Sequence, residues 1–147
     1  MKVSPHFTLQ EFVPREVFER MGADALSLID PKLIELAEFV RVFFGKPMII
    51  NNWASGGQYN ESGYREASST TGAAKSQHKL GKAIDIKIPG LKPKFIYEQI
   101  LANEAQFMAH GLTTMENIEF TTTWNHLDIR VTGKAKIWIV KPKPVKK

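Results

Sequence analysis

The chain has 147 residues, no cysteine, and a net charge of +5 from 20 Lys and Arg against 15 Asp and Glu. That length holds one domain with a real core, expected over residues 1–147 with its body in 7–140 and a basic tail at 141–147. The missing thiols exclude disulfides, thiolate metal sites and a cysteine nucleophile, and no apolar run is long enough to span a membrane. Met1 to His6 carries a positive charge with no apolar stretch behind it, so a secretory leader is not expected. Thr8 is placed to cap a short helical turn over Leu9 to Val13, with Glu11 completing a capping box. Pro14 to Met21 reads as a second short helix. Asp30-Pro31 is a strong helix start, Asp as N-cap and Pro at the first helical position. This helix runs to about Phe44, with Leu33, Leu36, Ala37, Val40 and Phe44 at helical spacing and Gly45 as its stop. Lys46-Pro47 leads into a strand from Met48 to Asn51 or Trp53. Ala54 to Lys75 is rich in Gly, Ser, Thr and Asn, and its length marks it as a functional or mobile loop.

Lys82 to Ile88 alternates, with Ile84, Ile86 and Ile88 pointing one way and Ala83, Asp85 and Lys87 the other. Pro89-Gly90 ends it. Pro93 to Met108 reads as one amphipathic helix with Phe95, Ile96, Ile100, Leu101 and Phe107 inward. Gly111 to Met115 is expected as a short strand. Trp124 to Val131 is another, with Trp124, His126, Asp128 and Arg130 on one face and Leu127, Ile129 and Val131 on the other. Thr132-Gly133-Lys134 reads as a hairpin turn that returns the chain through Lys136 to Val140. Helices come first and antiparallel strands later. The expected class is α+β, a small antiparallel sheet packed against N-terminal and central helices.

Two strings carry the chemistry: Ser76-Gln77-His78-Lys79-Leu80-Gly81-Lys82-Ala83-Ile84-Asp85 and Trp124-Asn125-His126-Leu127-Asp128. Gly81 is placed to let the backbone leave a loop and enter a strand, and small Ala83 leaves room on the face of Asp85. If the two strands pair antiparallel, His78, Asp85 and His126 converge on one ion. Two imidazoles and one carboxylate with an open position suit a hydrolytic zinc, although non-haem iron also uses such a triad. His6 and His110 have no partner pattern and stay outside the site.

The first string resembles the Ser-x-His-x-x-Gly-x-Ala-x-Asp motif of the M15 zinc peptidases, the group of D-alanyl-D-alanine carboxypeptidases and phage endolysins. The second resembles their Trp-x-His motif in its His-x-Asp form. Phe7-Thr8-Leu9-Gln10-Glu11-Phe12, Gly45-Lys46-Pro47 and Ser62-Gly63-Tyr64-Arg65 are also similar to elements of this family, so the resemblance spans most of residues 7 to 131. It implies Zn2+ held by His78, Asp85 and His126, and hydrolysis of peptide bonds in bacterial cell-wall stem peptides.

Hydrolysis also needs a carboxylate outside the metal ligands as general acid–base. Many family members carry it three residues before the last histidine, where this chain has Thr123. Glu116, Glu119 and Asp128 are the candidates. Glu116 is preferred, because Gly111 to Glu116 resembles a Gly-Ile-Thr-Arg-x-Glu element of phage relatives. Asp128 shares the face of His126 and fits a role in orienting that ring. Arg65 is the candidate for a substrate carboxylate or a developing oxyanion, on a loop expected to fold over the metal with Arg65 facing the open position. Ser76 is a candidate hydrogen-bonding neighbour of the ligands, and Trp124 a candidate wall of the substrate groove.

The leading expectation is a peptidoglycan-cleaving endolysin or virion lysin, made in a host cytoplasm and acting on the wall after release. The alternatives are a carboxypeptidase acting on terminal D-alanine and a zinc-bearing module that has lost catalysis. Positive charge fits a polyanionic wall, whereas sparse arginine without interleaved aromatics argues against nucleic acid. A monomer is expected.

Overall fold

A computed structural model describes residues 1–142; residues 143–147, most of the expected basic tail, lie outside the described residues. The chain opens with a ribbon of β1 (Lys2–Ser4) and β2 (Phe7–Thr8), which pair antiparallel. A 3-10 turn, Leu9–Glu11, follows under the capping box foreseen at Thr8: Glu11 Oε2 accepts from Thr8 N at 2.7 Å. Helix α1 (Arg15–Met21) and a 3-10 stretch, Gly22–Leu28, lead to α2 (Pro31–Phe44). In α2, Asp30 caps the start by accepting from Lys32 N, and Gly45 ends the helix at φ +63°. Leu33, Leu36, Ala37 and Val40 are fully buried, and full burial of a leucine stabilises the fold by about 1.5–3 kcal/mol.

Four strands form the main sheet in the order β3-β5-β4-β6: β3 (Ala83–Ile86), β4 (Thr114–Glu116), β5 (Asn125–Asp128) and β6 (Trp138–Val140). The class is α+β, with β3, β5 and β4 antiparallel as expected. The C-terminal end departs from expectation. Instead of a hairpin onto β5, β6 pairs parallel to β4, with Thr114 opposite Trp138 and Glu116 opposite Val140. Both edges of β5 are already occupied by β3 and β4, so the returning chain can add only to the outer edge of β4. Reaching it in parallel takes the longer crossover of residues 129–137. The strand expected over Trp124 to Val131 is accordingly shorter, and Val131 is 97% exposed rather than inward.

Two further expectations are corrected. Met48 to Trp53 is not a strand of the sheet; it contributes one bridge, Ile49 with Lys87, before Asn51 N turns to Glu11 O at 3.1 Å. Pro93 to Met108 is two helices, α3 (Pro93–Ala102) and α4 (Glu104–Ala109). Asn103 breaks them apart, its side-chain amide donating to Gln99 O, the kind of local bond by which Asn competes with a helix. Ile96, Ile100 and Phe107 are buried as expected, but Phe95 and Leu101 sit on the flanks, 46% and 36% exposed. The core runs continuously from Phe7 and Phe12 through α2 to Ile84, Ile86 and Leu127, so the sheet has one face against helices and one face free for chemistry. Among the described residues no helix is long and apolar enough to cross a membrane.

Candidate metal centre

Sheet register assembles the site. Asp85 lies opposite His126 across β3 and β5, and Ala83 opposite Asp128. On the other side Thr114 lies opposite Asp128, so continuing the antiparallel register brings Glu116 level with His126. One cross-strand row therefore carries Asp85, His126 and Glu116; the next carries Ala83, Asp128 and Thr114. Small neighbours in the second row leave room for a fully buried carboxylate at Asp128.

His78 arrives from a separate element, the 3-10 turn Gln77–Leu80. Ser76 is its N-cap, its Oγ accepting from His78 N at 3.1 Å, so Ser76 sets the backbone that carries the histidine. Gly81 closes the turn at φ +68°, where an added Cβ would lie 1.9 Å from Leu28 O. Only glycine fits there. Gly81 O also accepts from Asp30 N at 3.1 Å, while Lys82 Nζ reaches Asp30 Oδ2 at 2.8 Å, so the start of α2 is tied to the junction between turn and strand.

Among the described residues His78, Asp85 and His126 form a group whose ligand atoms all lie within 4.8 Å of one another. Asp85 Oδ1 is 3.2 Å from His78 Nε2 and 3.1 Å from His126 Nδ1. The second nitrogen of each ring is held elsewhere. His78 Nδ1 donates to the Gly63 carbonyl at 2.8 Å, and His126 Nε2 faces Asp128 Oδ2 at 2.8 Å. A carbonyl can only accept, so in the neutral ring of His78 the lone pair lies on Nε2; the Asp128 carboxylate likewise leaves it on Nδ1 of neutral His126. The rings thus present opposite nitrogens to one point. Gly63 is fixed tightly, because Tyr64 N donates to Phe12 O at 2.7 Å and an added Cβ on Gly63 would lie 2.4 Å from that same oxygen.

Electrostatics match a cation site. Burial opposes ionisation of Asp85, but the charges and hydrogen bonds of His78 and His126 overcome it and hold the carboxyl far below its ordinary range. Burial likewise opposes charge on His126. Hydrogen bonds to Asp128 and Asp85 and the charges of Asp85 and Glu116 outweigh it, pushing the ring up to about 10. Asp128 is held low against its burial by His126 and Arg130. Surroundings that hold a proton this firmly also favour a divalent ion on the same lone pairs. Three converging donors, with both histidines oriented from behind, fit Zn2+.

The remaining candidates fall at different distances from this centre. Glu116 ends β4 with Oε2 4.0 Å from His126 Nδ1, its side chain 22% exposed. Glu119 is exposed in the 3-10 turn Ile118–Phe120. Thr123 lines a cavity of about 260 Å³ with Pro93 and Asn125. Trp124 is half-buried just before β5.

Arg65 meets the centre through Asp85. Its Nη2 sits 3.1 Å from Asp85 Oδ2, Nε donates to Glu61 O and Nη1 to Thr71 O, leaving it 8% exposed. The half-buried Asp85 carboxylate draws the guanidinium in, and the loop carbonyls complete its bonding. Sequence reasoning gave no role to Gly63 O, a backbone group with no side-chain signal, nor to Arg130, which grips Asp128 with Nε at 2.9 Å and Nη2 at 2.5 Å.

No match was found among curated proteins or among solved structures. The sequence model of the family described as Peptidase M15 matches residues 5–128, from the N-terminal ribbon through the last residue of β5. With both ligand strings inside that match, the chain belongs to the peptidase M15 family, whose members are zinc-dependent metallopeptidases.

Proposed function

We propose that this protein hydrolyses a peptide bond in the stem peptides of bacterial peptidoglycan, as a phage-type endolysin or a virion lysin. The observation that carries the reading is the placement of Glu116 beside, and outside, the group formed by His78, Asp85 and His126. A metal-dependent hydrolase needs this arrangement: three donors for the ion and a separate carboxylate for the proton.

His78, Asp85 and His126 would hold the ion. A zinc there supplies Lewis-acid polarisation of the scissile carbonyl and acidifies the attacking water. The Gly63 carbonyl and Asp128 keep the two rings in the tautomers that point lone pairs at the centre. Arg65 holds the outer oxygen of Asp85, so the inner oxygen stays turned toward both histidines. Glu116 takes the proton from the attacking water and passes it to the leaving amine. Trp124 offers a half-buried aromatic wall at the edge of the same strand. The net charge of +5 favours approach to a polyanionic wall.

The deciding experiment incubates the zinc-loaded protein with purified peptidoglycan and identifies the released fragments by mass spectrometry. New amine and carboxyl termini inside the stem peptides are expected, lost with a chelator and restored by zinc. Release of terminal alanine alone would replace the reading with a carboxypeptidase. No release by the zinc-loaded protein would leave a binding module.

A further inference from the structure

Arg130 lies beyond the end of the family match at residue 128, and the proposed mechanism gives it no task. Its surroundings give it one. Asp128 is completely buried and makes four close polar contacts: Oδ2 takes His126 Nε2 at 2.8 Å and Arg130 Nη2 at 2.5 Å, while Oδ1 takes Arg130 Nε at 2.9 Å and Arg130 N at 3.2 Å. Three of the four come from Arg130. Its guanidinium meets the carboxylate as a fork, a geometry that fixes the plane of the acceptor as well as its charge. His126, Asp128 and Arg130 stand at alternate positions along one strand and its extension, so the fork and the ring approach Asp128 from the same face. The same guanidinium lies over the ring of Trp138 on β6, its Cζ 5.5 Å from the centroid.

We propose that Arg130 is a positioning residue of the metal centre: by locking the Asp128 carboxylate it holds the His126 ring with Nδ1 facing Asp85, and so sets the affinity of the site for its cation. Arg130 contacts none of the three donor atoms and acts through Asp128. Without the fork, Asp128 keeps only His126 as a side-chain partner and is free to turn about its own axis, and the ring it orients turns with it. The proposal rests on His78, Asp85 and His126 being a zinc site.

The test is a double-mutant cycle read as zinc affinity, by competition with a chelating dye, on protein shown to be folded by its thermal melt. Arg130→Ala and Asp128→Asn are each expected to weaken zinc binding about 10- to 100-fold, the range seen when a partner of a ligating histidine is removed. Arg130→Lys keeps the charge without the fork and is expected to fall between wild type and Arg130→Ala. The double variant Asp128→Asn/Arg130→Ala is expected to bind zinc no more weakly than Asp128→Asn alone, because the two act in series. Additive losses in the double variant, or wild-type affinity in folded Arg130→Ala, would overturn the proposal. If Arg130→Ala does not fold, Arg130→Lys carries the same test, and wild-type affinity there is equally fatal. Failure of the underlying zinc site looks different: the wild type would bind no zinc, and His78→Ala would change nothing.

Discussion

Replacing Glu116 by Gln removes one negative charge and one proton acceptor while preserving shape. Its carboxylate is 22% exposed and stands 4.0 Å from His126 Nδ1, farther than the 3.1 Å of Asp85 Oδ1, and it is outside the converging donor group. Folding should therefore change little, by about 0.5 kcal/mol or less, as for most substitutions away from the core. The lost charge weakens attraction for a dication, so the assay is run with zinc in excess and bound metal is measured by elemental analysis. Removing a general base costs about 100- to 10,000-fold in rate. At 1.36 kcal/mol per decade that is about 2.7–5.4 kcal/mol of transition-state stabilisation. The loss should appear in kcat on purified peptidoglycan, with zinc content near wild type and KM little changed, since Glu116 acts on the proton and not on substrate binding. Glu119→Gln, on an exposed turn, should stay within about threefold of wild type, which is less than 1 kcal/mol. Zinc-loaded Glu116→Gln turning over at the wild-type rate would refute the reasoning, and a larger loss in Glu119→Gln would move the base to the exposed turn.

Wild-type protein should carry one zinc per chain, and His78→Ala or His126→Ala should lose it; full metal content in both variants by elemental analysis would remove the assignment. Gly81→Ala puts a Cβ 1.9 Å from Leu28 O at φ +68°. It should cost about 3 kcal/mol or more, lowering the melting midpoint by roughly 6–12 °C; a midpoint within a degree of wild type would show that the turn can relax. Asp30→Ala should destabilise by about 1–2 kcal/mol through loss of the cap, whereas Asp30→Asn keeps the cap and loses only the bond to Lys82, costing about 0.2–1 kcal/mol. The hydrogen bond from Lys82 outweighs burial and holds the Asp30 carboxyl below its ordinary value. The wild-type margin over Asp30→Asn is therefore full at neutral pH and should fade as pH falls below about 4, as seen in denaturant melts across that range. A margin that does not depend on pH would contradict the ion pair.

The parts of the molecule that were legible in the sequence are those whose signals are local. Asp30-Pro31 and Gly45 bound α2 because capping is decided within a few residues. Ile84 and Ile86 alternate with Asp85 because a half-buried strand must. The placement of β6 was not legible. Thr132-Gly133-Lys134 has the composition of a hairpin turn, but turn chemistry cannot know that β4 already occupies the free edge of β5. Asn103 splitting α3 from α4 depended on a side chain competing with the helix, which the apolar spacing on either side conceals. The sequence marks Arg65 as chemically important but does not show its pairing with Asp85. Composition identified a cation on a long loop. Which oxygen of which carboxylate it meets depends on Ser62 O accepting from Asp85 N at 2.7 Å, a bond between residues 23 positions apart.

Both aspartates of the site carry their own guanidinium, Arg65 on Asp85 and Arg130 on Asp128, and each pairing has a different consequence for the centre. Buried ion pairs add little net stability, because desolvation offsets much of the Coulomb attraction; their better attested use is to fix one geometry among several. Here the geometry at stake is rotational. Asp85 must present one oxygen to two histidines at once, and Arg65 takes the other oxygen so that the carboxylate cannot turn it inward. Asp128 must remain an acceptor toward His126 Nε2, and Arg130 occupies the remaining lone pairs so that it cannot do otherwise. Glu116 is the acid of this centre left without a guanidinium partner among the described residues, and it is also the one whose proposed task requires it to gain and lose a proton. A carboxylate pinned by arginine is a poor base, so the pattern of pairing separates the two acids that hold the centre still from the one that can act in turnover.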